Sequence, residues 1–289
     1  MQAYLNGQYL DKSSAMISVD DRGFVFGDGI YEVYRAVDGE LFEGARHYQR
    51  LLEGVDALRI ERPREAGEGQ LLAIASRLLR ENGHDTGHAT VYVEITRGAA
   101  PRAHVFPAAD TAPTVFVTTY PFKDAAAVRA EGARAITQPD VRWLRCNIKT
   151  VQLLPNVLAK QAAAEAGAFE AILIRDDGTV TEGTHSNLFA VLDGEVRTHP
   201  ATNLILPGIT RAVILEIAAE LGLTVREVAI TEGDLGGCDE LFLTGTTTDV
   251  MPVTSLDGRL VGTGQPGPIA TQLYEALSSR MESLRTVAR

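Results

Sequence analysis

Apolar and polar positions change rhythm several times along the chain, moving between the two-residue period of strands and the longer period of helices. The opening "MQAYLNGQYL" alternates and folds back at Asn6-Gly7, a dipeptide suited to tight hairpin turns. "GIYEVYRAVDGELF" repeats the device, with two strands joined at Asp38-Gly39. In "HYQRLLEGVDALRI" the apolar residues fall at 48, 51, 52, 55 and 58, one face of a helix. "GQLLAIASRLLRENG" predicts a second helix ending near Gly83, and "ATVYVEITRG" and "TVFVTTYPF" predict strands. The proline and polar residues of "TYPFKDAA" mark a joint. Beyond it the alternation predicts a strand near 133–138, a helix over 150–166 and strands at 170–175 and 186–192. A helix over 209–221 and strands near 225–230 and 240–244 follow. The expected fold is α/β (α+β) in two domains, residues 1–120 and 131–289, with a linker at 121–130. The alternation alone does not choose a topology.

The net charge of −11 carries no basic run to offset it, which excludes a nucleic-acid partner as the expectation. Apolar stretches such as "VILEIAAELGL" are too short or too interrupted to span a bilayer, so no membrane partner is expected. The first residues lack the charged-then-apolar layout of a signal peptide. Cys146 and Cys238 form neither a metal-ligand spacing nor a disulfide framework, so no metal is expected and the default compartment is a reducing cytoplasm. Only Lys12, Lys123, Lys149 and Lys160 among the 27 basic residues are lysines, which confines amine chemistry to four side chains.

Lys149 stands out among them. It follows a stretch containing Arg142 and Arg145 and precedes Val151, Leu153, Leu154, Val157, Leu158 and Ala162, spaced roughly as a helix face. It is either a solvated lysine near a helix start or a side chain presented to a binding site. "LPGITRAVILEIAAELG" sets Pro207 and Gly208 before a helix whose free N–H groups suit an anion, with the Thr210 hydroxyl beside them; ordinary helix punctuation reads the same way. "FLTGTTTDVMPV" follows a strand with Gly245 and three threonines, an anion nest or simply strand. Neither matches a nucleotide-binding fingerprint. In "TVTEGTHSNLFAV", Glu182 falls beside Gly183 between two strands, as a solvated turn residue or as a carboxylate able to face a pyridinium nitrogen. In "TRGAAPRAHVFP", Arg102 and His104 share a face if the backbone is extended, and an arginine fork suits a carboxylate. Tyr31, Val33 and Arg35 share one strand face, Glu32 and Tyr34 the other. Arg50 lies on a helix with apolar periodicity and is a surface arginine or an anion ligand.

An amine nucleophile, phosphate seats, a pyridinium partner and a carboxylate fork are together the parts of a pyridoxal-phosphate enzyme acting on amino acids. At neutral pH only on the order of one free lysine in a few thousand is an uncharged amine. An imine to an aldehyde removes that difficulty and can be exchanged for a substrate amine.

The chain resembles the fold-type IV (class IV) aminotransferases, and most closely the bacterial D-amino-acid transaminases. The resemblance rests on "DRGFVFGDGIYEVYR", "HYQRL", "TRGAAPRAHVFP", "RWLRCNIKTVQLL…VLAKQ", "TVTEGTHSN", "THP…ILPGITR" and "DELFLTGTTTDVMPV", in family order from residue 20 to 253. It implies a small N-terminal α/β domain and a larger C-terminal pseudo-barrel domain that binds pyridoxal 5'-phosphate. Lys149 would hold that cofactor as an imine and shuttle the proton, and Glu182 would pair with the ring nitrogen. Arg50 would hold the phosphate with the Ile209 and Thr210 amides, Thr246 and Thr247, and Leu206 would support one ring face. Tyr31, Arg102 and His104 resemble the trap for the substrate α-carboxylate. In that family the arginine and histidine come from the neighbouring subunit, which implies a homodimer. The implied reaction is ping-pong transamination of D-amino acids such as D-alanine, D-glutamate or D-aspartate with 2-oxoglutarate or pyruvate. A branched-chain L-amino-acid transaminase or an aminodeoxychorismate lyase is the alternative on the same fold. Those subfamilies generally lack the "PRAH" element. A non-catalytic small-molecule-binding module is a third reading, against which an intact lysine, glutamate and trap all argue. The chain departs from the family at His185, where some relatives carry serine. Gly245 lacks the hydroxyl that some relatives have. Arg35 faces the presumed substrate side, where a cation would favour acidic substrates.

Overall fold

The structure, a computed structural model, describes residues 1–284. The chain divides into two compact units. The first comprises 1–122, the short stretch 148–152 and the described residues 281–284. The second comprises 123–147 and 153–280. Residues 121–130, expected as a linker, run into the second unit and hold a helix, α4 (Ala126–Glu131).

In the first unit, β1 (Gln2–Leu5) and β2 (Gln8–Asp11) form the opening hairpin. Its turn places Asn6 and Gly7 at φ of 47° and 91°, which is why that dipeptide sits there. A short helix α1 (Arg22–Phe26) precedes the long strand β3 (Gly29–Val37), which turns at Asp38-Gly39 into β4 (Glu40–Phe42). Helices α2 (Gly44–Ala57) and α3 (Glu68–Glu81) and strands β5 (His88–Thr96) and β6 (Thr114–Pro121) complete it. The six strands run in the order β2-β1-β6-β5-β3-β4. One sheet face, with Tyr34, Val91, Val93, Ile95 and Val117, shares a core with Leu51, Val55, Ile74 and Leu78. The strand alternation that buries Tyr34 also turns Glu32 inward, where it is fully buried.

In the second unit, β7 (Ala133–Pro139) leads through a loop to α5 (Leu154–Glu165). Strands β8 (Glu170–Ile174), β9 (Thr179–Gly183), β10 (Asn187–Leu192) and β11 (Glu195–Thr198) follow. Helix α6 (Ile209–Glu220), β12 (Val225–Glu227), β13 (Ile230–Thr231) and α7 (Glu232–Leu235) come next. The unit ends with β14 (Glu240–Gly245), β15 (Asp249–Leu256), β16 (Arg259–Leu260) and α8 (Pro268–Glu282). Its ten-stranded sheet is a half-barrel, hydrogen-bonded from β12 through β11, β10, β14, β15, β7, β8 and β9 to β13, with β16 on β15. The stacked rings of Phe189 and Phe242, 5.1 Å apart, sit on its neighbouring strands β10 and β14.

Two expectations change, and α5 adds one feature that periodicity does not address. The helix expected over 150–166 begins only at Leu154, because Thr150 is drawn into a bridge with Ile30. Its large apolar face points outward: Leu154, Val157 and Leu158 are 68%, 57% and 63% exposed. What packs inward is the small face, Ala159 and Ala163 against Ala171 and Leu173. Finally, Glu182 lies within strand β9 rather than at a turn, and the turn is formed by Thr184–Ser186.

Candidate active site

The candidate residues fall into two groups, one in each unit. In the first, Lys149 is seated on β3 as an added half-strand. Tyr31 N–H donates to the Lys149 carbonyl at 3.0 Å, and Val151 N–H donates to Gly29 O at 3.1 Å. The backbone is thereby fixed on both sides of the lysine, while its Nζ lies 4.3 Å from the centroid of the Tyr31 ring. That ring in turn stacks on Tyr92, with centroids 5.7 Å apart. The lysine is half-buried.

Behind Tyr31, on the core face of β3, Glu32 receives a two-pronged grip from Arg50. Arg50 Nε donates to Oε2 and Nη2 to Oε1, each at 2.8 Å. His47 Nδ1 is 3.1 Å from Oε1. Burial alone would disfavour the Glu32 carboxylate, yet the Arg50 charge and the His47 contact hold its pKa far below the usual range. Burial, together with the Arg50 and Lys149 charges, keeps the His47 pKa down against the pull of Glu32. Arg50 is thus a buried, oriented cation and not a surface arginine. Its position was legible as a candidate; its partner was not. The signal was a glutamate on the inward phase of a strand and an arginine on the apolar face of a helix.

Arg102 and His104 lie on an exposed, bent loop rather than a strand. They are nonetheless brought together, because both approach Phe26. The Arg102 guanidinium is 5.3 Å from its ring centroid and the His104 ring 5.6 Å. Arg35, expected to face substrate, is buried against the Phe122 ring and beside His88 Nδ1.

In the second unit, Glu182 is the centre. Arg142 Nη1 donates to its Oε1 at 2.5 Å, Asn187 Nδ2 to its Oε2 at 2.9 Å, and Leu206 N–H lies 3.1–3.2 Å from both oxygens. Arg142 also donates to both oxygens of Asp140, at 2.9 and 2.8 Å, and Asp140 pairs with Arg175. Complete burial pushes the Glu182 carboxyl up to about 7, against the Arg142 charge and the Leu206 N–H; Asp140 adds to the rise. The sequence reading missed Arg142, Asp140 and Asn187 as functional residues. The i, i+2 spacing of Asp140 and Arg142 was their only trace.

Asn187 also donates to Leu206 O and abuts Gly208, where an added Cβ would lie 2.1 Å from Asn187 Oδ1. Gly208 is therefore required for this approach. It opens α6, whose first turn has no side-chain cap among the described residues, with Thr210 buried in it. Thr244 pairs with Asn187 across the strands and so shares its face, and its buried hydroxyl has no partner among the described residues. Thr246 and Thr247 lie in the turn that follows. An uncapped helix start, buried hydroxyls and a carboxylate fixed among donors form a donor set suited to an anionic aromatic group such as pyridoxal phosphate. His185 is directed elsewhere: its Nδ1 lies 2.8 Å from Glu170, a buried carboxylate that also accepts from Thr184 and Ser186.

Residues 29–256 match the family model of amino-transferase class IV, and the chain belongs to that family. It is 42% identical to a D-alanine aminotransferase of Bacillus licheniformis over 289 residues, covering 99% of this chain and 100% of the relative. Among solved structures it is similar to the branched-chain amino acid aminotransferase of Escherichia coli, with a TM-score of 0.88, 27% identity and coverage of 96% and 93% of the two chains. Another similar structure is a bacterial branched-chain amino acid aminotransferase complexed with N-(5'-phosphopyridoxyl)-L-glutamate, with a TM-score of 0.87, 30% identity and coverage of 98% and 94%.

Proposed function

We propose that the protein is a pyridoxal-phosphate-dependent D-amino-acid transaminase that works as a homodimer in the cytoplasm. The observation that carries the reading is the full-length 42% identity to a D-alanine aminotransferase, against 27–30% for the branched-chain enzymes that share its fold. The meeting of Arg102 and His104 at Phe26 supports it.

In this reading Lys149 would hold the cofactor through its amine, and the same group would carry the α-proton. Its backbone bonds to β3 limit the arc the amine sweeps, which favours proton transfer on one face. When bound, the cofactor supplies an electron-accepting ring that lets the α-hydrogen leave as a proton. Glu182 would pair with the ring nitrogen, and the Arg142 charge favours its ionised form against burial. Arg50, the Ile209 and Thr210 amides, Thr246 and Thr247 would hold the phosphate, and Leu206 would support the ring. Tyr31, Arg102 and His104 bind the α-carboxylate, the last two lent by the second copy. Dimer formation also gives the outward side chains of α5 a cover, together with exposed Met16, Val19, Phe24 and Leu144.

The test is a chiral panel on reconstituted protein. D-alanine with 2-oxoglutarate should turn over and L-leucine should not, while Lys149→Ala should lose the bound chromophore and half-reaction turnover. Normal D-alanine deamination by that variant, or a preference for L-leucine, would refute the assignment.

A further inference from the structure

The loop carrying Arg102 and His104 contains no helix or strand, and all the side chains from Arg102 to Phe106 are exposed. A carboxylate trap on such a loop requires something to fix it, since ordering a free loop at each binding event weakens affinity. The fixing group is Arg22, buried on α1. Its Nη1 donates to Ala103 O at 2.7 Å and lies 3.4 Å from Val105 O, the two carbonyls that flank His104. Its Nε donates to Asp28 Oδ2 at 2.9 Å. Asp28 is itself gripped by Arg97, from Nε to Oδ2 at 2.8 Å and from Nη2 to Oδ1 at 2.9 Å. Arg97 is anchored to the carbonyls of Leu58 and Arg59 and covers the Phe106 ring at the far end of the loop. One helical turn beyond Arg22, Phe26 offers its ring to Arg22, Arg102 and His104, at 4.8, 5.3 and 5.6 Å.

We propose that Arg22, held by Asp28, is a positioning residue that fixes the Arg102–His104 loop in the shape that binds the substrate carboxylate. This rests on the proposed role of Arg102 and His104. Arg22 donates to backbone and not to substrate, so its contribution is preorganisation of the loop, which saves ordering cost on binding.

Propionate, which has the carboxylate of D-alanine and no amine, isolates this contribution. On the cofactor-loaded enzyme, Arg22→Leu should raise the propionate inhibition constant and the D-alanine KM at least roughly tenfold, with kcat within about twofold. Arg22→Lys, a point donor that cannot hold Asp28 and both carbonyls together, should fall between. Amide hydrogen exchange should quicken at 99–106 and stay unchanged in β5 and β6. If Arg102→Leu weakens propionate but neither Arg22 variant does, the inference is wrong and the trap stands. If Arg102→Leu leaves propionate binding intact, the trap itself is wrong and the inference falls with it. Exchange quickened throughout the sheet would reduce Arg22 to a general structural role and also overturn the inference. Should Arg22→Leu fail to fold, Arg22→Lys decides the question on the same measurements.

Discussion

Arg142→Met removes the cation bonded to Glu182. With charge centres about 4 Å apart and an effective permittivity near 20, the pair is worth on the order of 4 kcal/mol, or about 3 pKa units. The Glu182 carboxyl, already lifted to about 7 by burial, should therefore rise well above that value. Asp140 reinforces the direction, because without Arg142 its charge repels that of Glu182 through a dry interior. Infrared titration of the cofactor-free protein reads this through the protonated-carboxyl stretch, with Glu182→Gln identifying the band. In the parent the band should be half lost near neutral pH; in Arg142→Met it should persist beyond pH 8. Asp140→Asn should move it the other way, since it removes a negative neighbour and leaves the cation. The variant should also be less stable by about 3–5 kcal/mol, the usual cost of stranding half of a buried ion pair. A variant carboxyl that titrates at or below the parent value would refute this account of how the charge at 182 is set.

The same shift links stability to pH. A carboxyl raised from 4.5 to about 7 on folding contributes stability that is fully present below pH 4.5 and is lost as pH rises through 7. The denaturant midpoint of the cofactor-free parent should thus fall relative to Glu182→Gln across that window, by on the order of 3 kcal/mol in free energy. Glu32→Gln should leave Arg50 without its countercharge and cost about 3–5 kcal/mol in chemical denaturation. A loss under 1 kcal/mol would mean the cation is compensated elsewhere. Leu158→Asp, placed on the outward face of α5, should shift the sedimentation profile toward monomer without loss of helical circular dichroism. An unchanged profile would argue that this face is not the dimer contact.

The hairpins at Asn6-Gly7 and Asp38-Gly39 and the helices α2, α3 and α6 were legible because turn chemistry and apolar period are local properties. Helix α5 was legible as a helix but not in its orientation. Periodicity shows that a helix has an apolar face; it does not say whether that face meets its own sheet or something outside the chain. β9 was missed because Thr179–Gly183 has the polar, glycine-ended composition of a turn, and only its pairing with β8 and β13 makes it a strand. At the candidate site the residue types were legible and the partners were not. The pairing of Glu32 with Arg50 requires the phase of β3 and that of α2 to be known together. The Arg142–Glu182 contact joins residues 40 apart in sequence. The clamp on the Arg102–His104 loop is equally distant in sequence, since Arg22 reaches a carbonyl 81 residues away.

The hydrogen bonds that seat residues 148–152 against β3 join positions more than a hundred residues apart. During synthesis, the strand that receives this segment therefore emerges long before the segment itself, and its edge waits uncovered while about two-fifths of the chain is made. Cutting the gene after Phe122 would separate Lys149 from the strand that seats it, so neither half would assemble the anchored lysine alone. Co-expression of the two halves, rather than either expressed singly, is the arrangement in which that anchoring could re-form.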